Sequence, residues 1–379
     1  MTGITWKGFG AAGRHHGRRG IVMLDGVFYR GKKVLITGNT GFKGSWLSKL
    51  LLEAGAQVYG YSLKPPTEEN LYDILRLHES METVTGDVRD YEKLVRTMQD
   101  KKPEIVIHLA AQPIVRESYV RVRETFGTNV MGTVNLLESV RHCGSVKSVL
   151  NVTTDKVYEN REWCWGYRED DALNGYDPYS NSKSCSELVT QSFRKSFFDG
   201  IDIAVSTARA GNVIGGGDFA HDRIIPDCVR AAIRGQKIKV RNPYSIRPYQ
   251  HVLEALSAYL LIIRKQYEDT RLQGEYNVGP SEASCVSTGE LVNMFCSKWQ
   301  NELEWETCAE NNPVHESSFL RLDCSKIKSR LGWQCTWGIE ESIAYTVAWT
   351  KEWLADADNI ESCMKKQMEA FGEKYDTIL

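Results

Sequence analysis

From Lys33 onward the chain alternates short β-branched, apolar runs with longer helical stretches, and few folds accommodate that rhythm. The strand candidates are Lys33–Thr37, Gln57–Ser62, Glu82–Thr85, Glu104–Leu109, Ser148–Thr153 and Ile203–Thr207. Helical stretches such as Phe42–Ala54, Tyr91–Lys101, Thr125–His142 and Ser180–Phe198 lie between them. A strand, a crossover helix and a further strand at this spacing make βαβ units, whose strands run parallel and are covered by helices on both faces. The expected class is α/β, with a doubly wound parallel sheet. Past Arg209 the rhythm breaks. Gly215-Gly216-Gly217, Pro226, Pro243, Pro248, Pro280 and Pro313 punctuate shorter elements, and Leu253–Lys265 reads as a helix returning to the main sheet. The remainder is expected to form a smaller, mixed α/β substrate-binding domain over the carboxyl edge of the sheet, where ligands of such folds bind.

Composition excludes several functions. The 47 Lys and Arg nearly balance 49 Asp and Glu, whereas a dedicated nucleic-acid binder carries a basic excess, so no nucleic-acid partner is expected. The ten cysteines are scattered without any C-x-x-C, which fits neither a metal cage nor a disulfide framework. They read as thiols of a cytoplasmic enzyme. His251 and His315 are too far apart and too poorly accompanied to suggest a metal, so none is expected. The longest strongly apolar run, Ala255–Ile263, is interrupted by Ser257 and stops at Arg264, too short for a membrane span. Residues 1–26 hold Lys7, Arg14, Arg18 and Arg19, no acid before Asp25 and no apolar stretch. They are expected to be a poorly ordered leader, not part of the fold.

After the first strand comes Thr37-Gly38-Asn39-Thr40-Gly41-Phe42-Lys43-Gly44, opening an amphipathic helix. Gly38, Gly41 and Gly44 let the chain turn tightly and bring backbone N–H groups and the helix N-terminus onto a diphosphate. Strand before and helix after supply the context of a Rossmann-like dinucleotide site, with NAD as the expected cofactor. Phe42 and Ala110 fall where the loops would flank it. The second strand would end in an acid if it clasped the adenosine ribose, but it reads Tyr59-Gly60-Tyr61-Ser62-Leu63-Lys64. Ser62 is the candidate there, and these residues do not separate NAD from NADP. Asp87, after the third strand, is either an adenine contact or a turn carboxylate.

Tyr179-Ser180-Asn181-Ser182-Lys183 puts a phenol and an ammonium at i and i+4, on one helix face. A free tyrosine titrates near pKa ~10 and is a poor base at neutral pH. A neighbouring cation favours the phenolate and makes it competent. Upstream, Asn151-Val152-Thr153-Thr154-Asp155-Lys156-Val157-Tyr158 offers a hydroxyl pair at the end of a strand.

With these motifs the chain resembles the extended short-chain dehydrogenase/reductase family, whose triad is Ser/Thr, Tyr and Lys. Thr154, Tyr179 and Lys183 match those positions. The step Thr154-Asp155 is similar to the sugar-nucleotide 4,6-dehydratases, in which an aspartic acid protonates the leaving hydroxyl and a following glutamate takes the C5 proton. Here Lys156 stands at the second position, as in the CDP-glucose branch. That branch is also resembled by Leu109-Ala110-Ala111-Gln112-Pro113, by Arg209 to Asp218, by Asp222 to Asp227 and by Arg247-Pro248-Tyr249-Gln250-His251. The resemblance runs from about Val27 to Trp353.

It implies a lyase that dehydrates CDP-glucose or a related sugar nucleotide, using NAD and working as a homodimer paired through the helices around Thr125–His142 and Ser180–Phe198. It also implies substrate contacts at Gln112, Asn212, Arg223 and Arg247. Lys156 is either the C5 base or an electrostatic lysine that steadies the enolate. A sugar-nucleotide 4-epimerase needs the same Tyr179 and Lys183 but no acid at 155, and a non-catalytic nucleotide-sensing scaffold needs no intact triad. The aromatic pair Trp163 and Trp165 either covers the sugar or packs a loop. The expected division is 27–208 with 246–270 as the NAD-binding domain, 209–245 with 271–356 as the sugar-nucleotide domain, and 357–379 as a C-terminal tail.

Overall fold

The computed structural model describes residues 26–300, 302–308 and 317–378. The expected leader, but for Gly26, lies outside the described residues, as does His315. In chain order the strands are β1 (Lys33–Thr37), β2 (Gln57–Ser62), β3 (Glu82–Thr85), β4 (Ile105–His108), β5 (Ser148–Val152), β6 (Ala204–Ala210), β7 (Asn212–Ile214), β8 (Ile238–Val240), β9 (Ile246–His251), β10 (Glu275–Val278), β11 (Cys285–Ser287) and β12 (Trp305–Thr307). The helices of ten or more residues are α1 (Phe42–Glu53), α2 (Tyr91–Lys101), α3 (Gly132–Arg141), α4 (Pro178–Phe193), α5 (Ile224–Ile233), α6 (Val252–Glu268), α7 (Thr288–Trp299), α8 (Ile339–Ala355) and α9 (Ile360–Ile378).

Seven strands make one parallel sheet in the order β10-β6-β5-β4-β1-β2-β3. Because side chains alternate across a strand, a sheet buried on both faces needs apolar residues at every position. The central strands comply. Val34 and Ile36 of β1 enter one core while Leu35 enters the other, and Ile105 and Ile107 of β4 oppose Val106 in the same way. The first core is closed by α1 and α6, the second by α2, α3 and α4. Truncating one of these fully buried side chains, such as Ile107, to Ala costs about 2–5 kcal/mol through lost transfer energy and the cavity left behind.

Over the carboxyl ends of this sheet sits a smaller lobe. Strand β9 pairs in parallel with β7 and antiparallel with β11, and β8 pairs with β12. Helices α5, α7 and α8 close a third core around Ile238, Val292, Phe295 and Ile343. Three boundaries differ from the sequence reading. Ile246–His251, placed with the NAD-binding domain, pairs with β7 in the small sheet. Glu275–Val278, placed in the sugar-nucleotide domain, is the edge strand of the main sheet. Its Asn277 is buried, donating to the carbonyls of Tyr167 and Asp323 and accepting from the Tyr158 hydroxyl, so hydropathy did not mark it. Of residues 357–379, expected to be a tail, those up to 378 form a short turn and α9, and Ile360, Met364, Met368 and Phe371 pack into the first core. Their spacing of four, four and three residues is that of an amphipathic helix. No described helix is long and apolar enough to cross a membrane.

Candidate active site

The loops at the carboxyl ends of the main strands and the facing wall of the small lobe enclose a cavity of about 720 Å³. Phe42 and Lys43 reach it from the start of α1, Thr154, Asp155 and Lys156 from the end of β5, and Tyr179 and Lys183 from α4. Asn212, Arg223 and Arg247 line it from the small-lobe side.

The glycine loop is shaped by contact. Gly38 adopts φ +76°, and a Cβ there would stand 2.7 Å from the Ala110 nitrogen; at Gly44 a Cβ would fall on the Gly38 carbonyl. Gly41 meets only an ordinary 3.5 Å neighbour. It is the N-cap of α1, with no side chain closing the helix end and no acid in the first turn. An open helix N-terminus of this kind fits the diphosphate of a dinucleotide. At the end of β2 the Ser62 hydroxyl lies 2.8 Å from that of Thr40, within the same loop. Asp87 is held by Arg89 through its backbone amide and its guanidinium (Nε to both carboxylate oxygens at 3.0 Å). That ion pair keeps the Asp87 carboxyl below its usual range.

The sequence Asp177-Pro178-Tyr179-Ser180 starts α4. Asp177 caps it by accepting from the Ser180 amide at 3.0 Å, and Pro178 occupies a position whose missing N–H is no loss. Tyr179 is thereby fixed in the first turn, with Lys183 one turn on. The Lys183 ammonium donates to the Val152 carbonyl at 3.1 Å, and burial lowers its pKa to about 8. Burial raises Tyr179 to about 12; Thr154 draws it down, Asp155 pushes it up and Arg223 draws it down again. Thr154 caps a short turn, Asp155–Val157, and donates to one Asp155 oxygen at 2.9 Å. Burial raises the Asp155 carboxyl, with Lys156 the largest opposing influence. Its other oxygen, Oδ2, is buried without a hydrogen-bond partner among the described residues.

The substrate-side expectations divide. Arg223 is paired with Asp218 at 3.0 Å, chiefly through which its guanidinium is held above its usual range. Arg247 spends donors on the carbonyls of Ile246 and Ser317. Asn212 opens β7 on the cavity wall. Gln112 is placed differently. Its side chain donates to Ile114 and Thr125 and accepts from the Ile114 amide, so it braces its own loop and does not line the cavity. Trp163 stacks on Tyr167 and meets Trp165 edge-on, and neither tryptophan lines the cavity.

Three residues that sequence reasoning did not assign to the site are prominent here. Glu187, one turn beyond Lys183, accepts from Thr153, Thr207 and Arg209, the last at 2.9 Å, with Glu187 and Arg209 both fully buried. Arg209 also donates to the Tyr158 hydroxyl and the Glu169 carbonyl. This network fastens α4 to β5 and β6 beneath the triad. Its sequence signal was two charges within otherwise buried runs. Lys43 is the third, a lysine within the glycine motif itself.

A doubly wound sheet with an open glycine loop, and Thr154, Tyr179 and Lys183 around one cavity, define a short-chain dehydrogenase/reductase of the extended kind. The chain belongs to the GDP-mannose 4,6 dehydratase family, whose family model matches residues 35–346. It is 47% identical over 355 residues to a CDP-glucose 4,6-dehydratase of Salmonella typhimurium, covering 92% of this chain and 98% of that one. Among solved structures it resembles MoeE5 in complex with UDP-glucose and NAD, at 26% identity and a TM-score of 0.72, over 85% of this chain and 99% of that one. The fold is shared with the dTDP-glucose 4,6-dehydratase DesIV of Streptomyces venezuelae, at 24% identity and a TM-score of 0.73, over 84% and 97% of the two chains.

Proposed function

We propose that this chain is a CDP-glucose 4,6-dehydratase, converting CDP-glucose to CDP-4-keto-6-deoxyglucose. The observation that carries this reading is Asp155, a buried carboxyl raised toward its protonated form, with one oxygen unpartnered, on the same cavity wall as Tyr179 and Lys183. A 4-epimerase has no task for such an acid. The 47% relative of Salmonella typhimurium supports the same assignment.

NAD, bound on the glycine loop, would supply a cationic ring and a hydride acceptor for the hydrogen of C4, which would be given back to C6 after water has left, with C5 regaining a proton. Tyr179 takes the proton of the sugar's C4 hydroxyl. Thr154 holds that oxygen, and the Lys183 ammonium favours the phenolate against the burial that raises Tyr179. The ketone at C4 acidifies the proton at C5. Asp155 gives its proton to the departing C6 hydroxyl, which leaves as water. Lys156, next along the cavity wall, is the group assigned to C5. As a base it removes the C5 proton, and as a cation it steadies the enolate. Lys156→Ala separates these roles, because solvent deuterium stops entering C5 only in the first. Asn212, Arg223 and Arg247 hold the sugar nucleotide, with the two arginines facing its diphosphate.

Two further readings belong here. The enzyme is a homodimer: Val120, Val122 and Met131 beside α3, and Leu188 and Phe197 on and after α4, leave large apolar side chains exposed along neighbouring helices. Light scattering at micromolar concentration tests this, and a monomer contradicts it. The ten cysteines, all free thiols, support a cytoplasmic location.

The function itself is tested by incubating the protein with CDP-glucose and NAD. A 4-keto product that develops its chromophore in base, with no net reduction of NAD, is expected. A C4 epimer, or no turnover, overturns the proposal.

A further inference from the structure

Lys43 is the basic residue within the glycine loop motif, second in α1, and its side chain lines the same cavity as the triad. The groups that face it come from five elements. Lys183 of α4 and Arg223 ahead of α5 are cations; Asp155 after β5 and Asp218 after β7 are acids. The fifth is Tyr259 of α6, whose ring centroid lies 5.9 Å from the ammonium. Neither acid serves as its counter-ion. Asp218 pairs with Arg223, and Asp155 is held by Thr154. Among the described residues Lys43 forms no hydrogen bond or ion pair.

A lysine with two cations among its electrostatic neighbours, partly out of water and without a counter-ion, is disfavoured in its charged form. Burial first, then Lys183 and Arg223, lower Lys43 to about 7, against the smaller pull of Asp155 and Asp218. An anion entering beside it reverses that balance. The anion suited to this position carries a diphosphate, since the helix N-terminus and the loop amides present donors to the same space.

Resting on the proposed function, which brings two diphosphates into this cavity, we propose that Lys43 is a proton-coupled diphosphate ligand: it takes up a proton as a diphosphate binds. The diphosphate belongs to the dinucleotide or to the sugar nucleotide, and the two arms of the test tell them apart.

Isothermal titration calorimetry at pH 7 in two buffers of different ionisation enthalpy measures proton uptake. One arm titrates NAD into the protein; the other titrates CDP into protein saturated with NAD. Comparison of wild type with Lys43→Met cancels the ligand's own phosphate titration. A group half protonated at that pH takes up ~0.5 proton when its charged form is stabilised. The wild type is expected to exceed Lys43→Met by that amount in one arm, with affinity at least tenfold weaker in the variant. An excess in the NAD arm assigns the cofactor's diphosphate, and one in the CDP arm assigns the substrate's. Lys43→Arg keeps the charge and is expected to keep affinity but lose the uptake, which decides the matter should Lys43→Met fail to fold. Equal uptake by wild type and variants in both arms overturns the inference while leaving the proposed function standing. Failure of both ligands to bind the wild type overturns the two together.

Discussion

Replacing Glu187 by Gln removes the negative charge that Arg209 pairs with in a fully buried network. Glu187 and Arg209 are fully buried and meet at 2.9 Å, so the variant leaves a guanidinium in the interior with only neutral acceptors, the Tyr158 hydroxyl and the Glu169 carbonyl among them. Breaking a buried pair from one side costs about 3–5 kcal/mol, a large share of the ~5–15 kcal/mol that holds a typical fold. The same charge acts on the triad. Glu187 opposes the burial that brings Lys183 to about 8, so its loss moves Lys183 lower still. Because the phenolate of Tyr179 needs a charged Lys183, the alkaline limb of the kcat profile is expected to shift to lower pH. Urea unfolding gives the stability loss, and steady-state kinetics across pH gives the shift. The control is Thr207→Val, which removes one hydrogen bond to Glu187 of 2.8 Å, keeps the ion pair, and is expected to lose only ~1 kcal/mol with the alkaline limb unmoved. A Glu187→Gln protein that unfolds at the wild-type urea midpoint, with an unmoved limb, refutes the reasoning.

Three shorter predictions follow from the same geometry. Glu254 is buried, accepting from the amides of Thr336 and Trp337, and burial raises its pKa from 4.5 to about 8. The folded protein therefore keeps a proton that the unfolded chain has lost, so this group's contribution is best below pH 4.5 and declines until about pH 8. Glu254→Gln is expected to flatten that decline and raise the melting temperature at neutral pH; an unchanged pH profile of stability contradicts it. Gly38→Ala meets the Ala110 backbone at positive φ and is expected to lower stability, whereas Gly41→Ala has room and is expected to weaken NAD binding with little change in unfolding. Asp155→Asn removes the proton donor and is expected to slow elimination ~10²–10⁴-fold while oxidation at C4 survives. Parallel loss of both half-reactions would point to a structural role instead.

The sequence exposed those parts of the molecule that repeat a pattern. The parallel sheet was legible because strands such as Val34-Leu35-Ile36 are apolar on both faces, and the cofactor loop because Gly38 and Gly44 have no space for a side chain. The strand β10 was not, since its buried Asn277 is satisfied only by partners distant in sequence. The same holds for Gln112, whose loop-bracing bonds cannot be seen without the turn that Ile114 makes and the approach of Thr125. Thr154, Asp155, Tyr179 and Lys183, singled out by spacing and resemblance, line one cavity. Lys43, Glu187 and Arg209 were passed over because a charge in a buried run acquires meaning only from what faces it.

The most direct test of the account follows the hydrogen at C4. With CDP-glucose deuterated at C4 and protein holding NAD, the account predicts a 4-keto-6-deoxy product with that deuterium at C6 and a solvent-derived hydrogen at C5. Deuterium retained at C4 of an epimerised sugar, or a 6-deoxy product whose C6 label is absent, contradicts it.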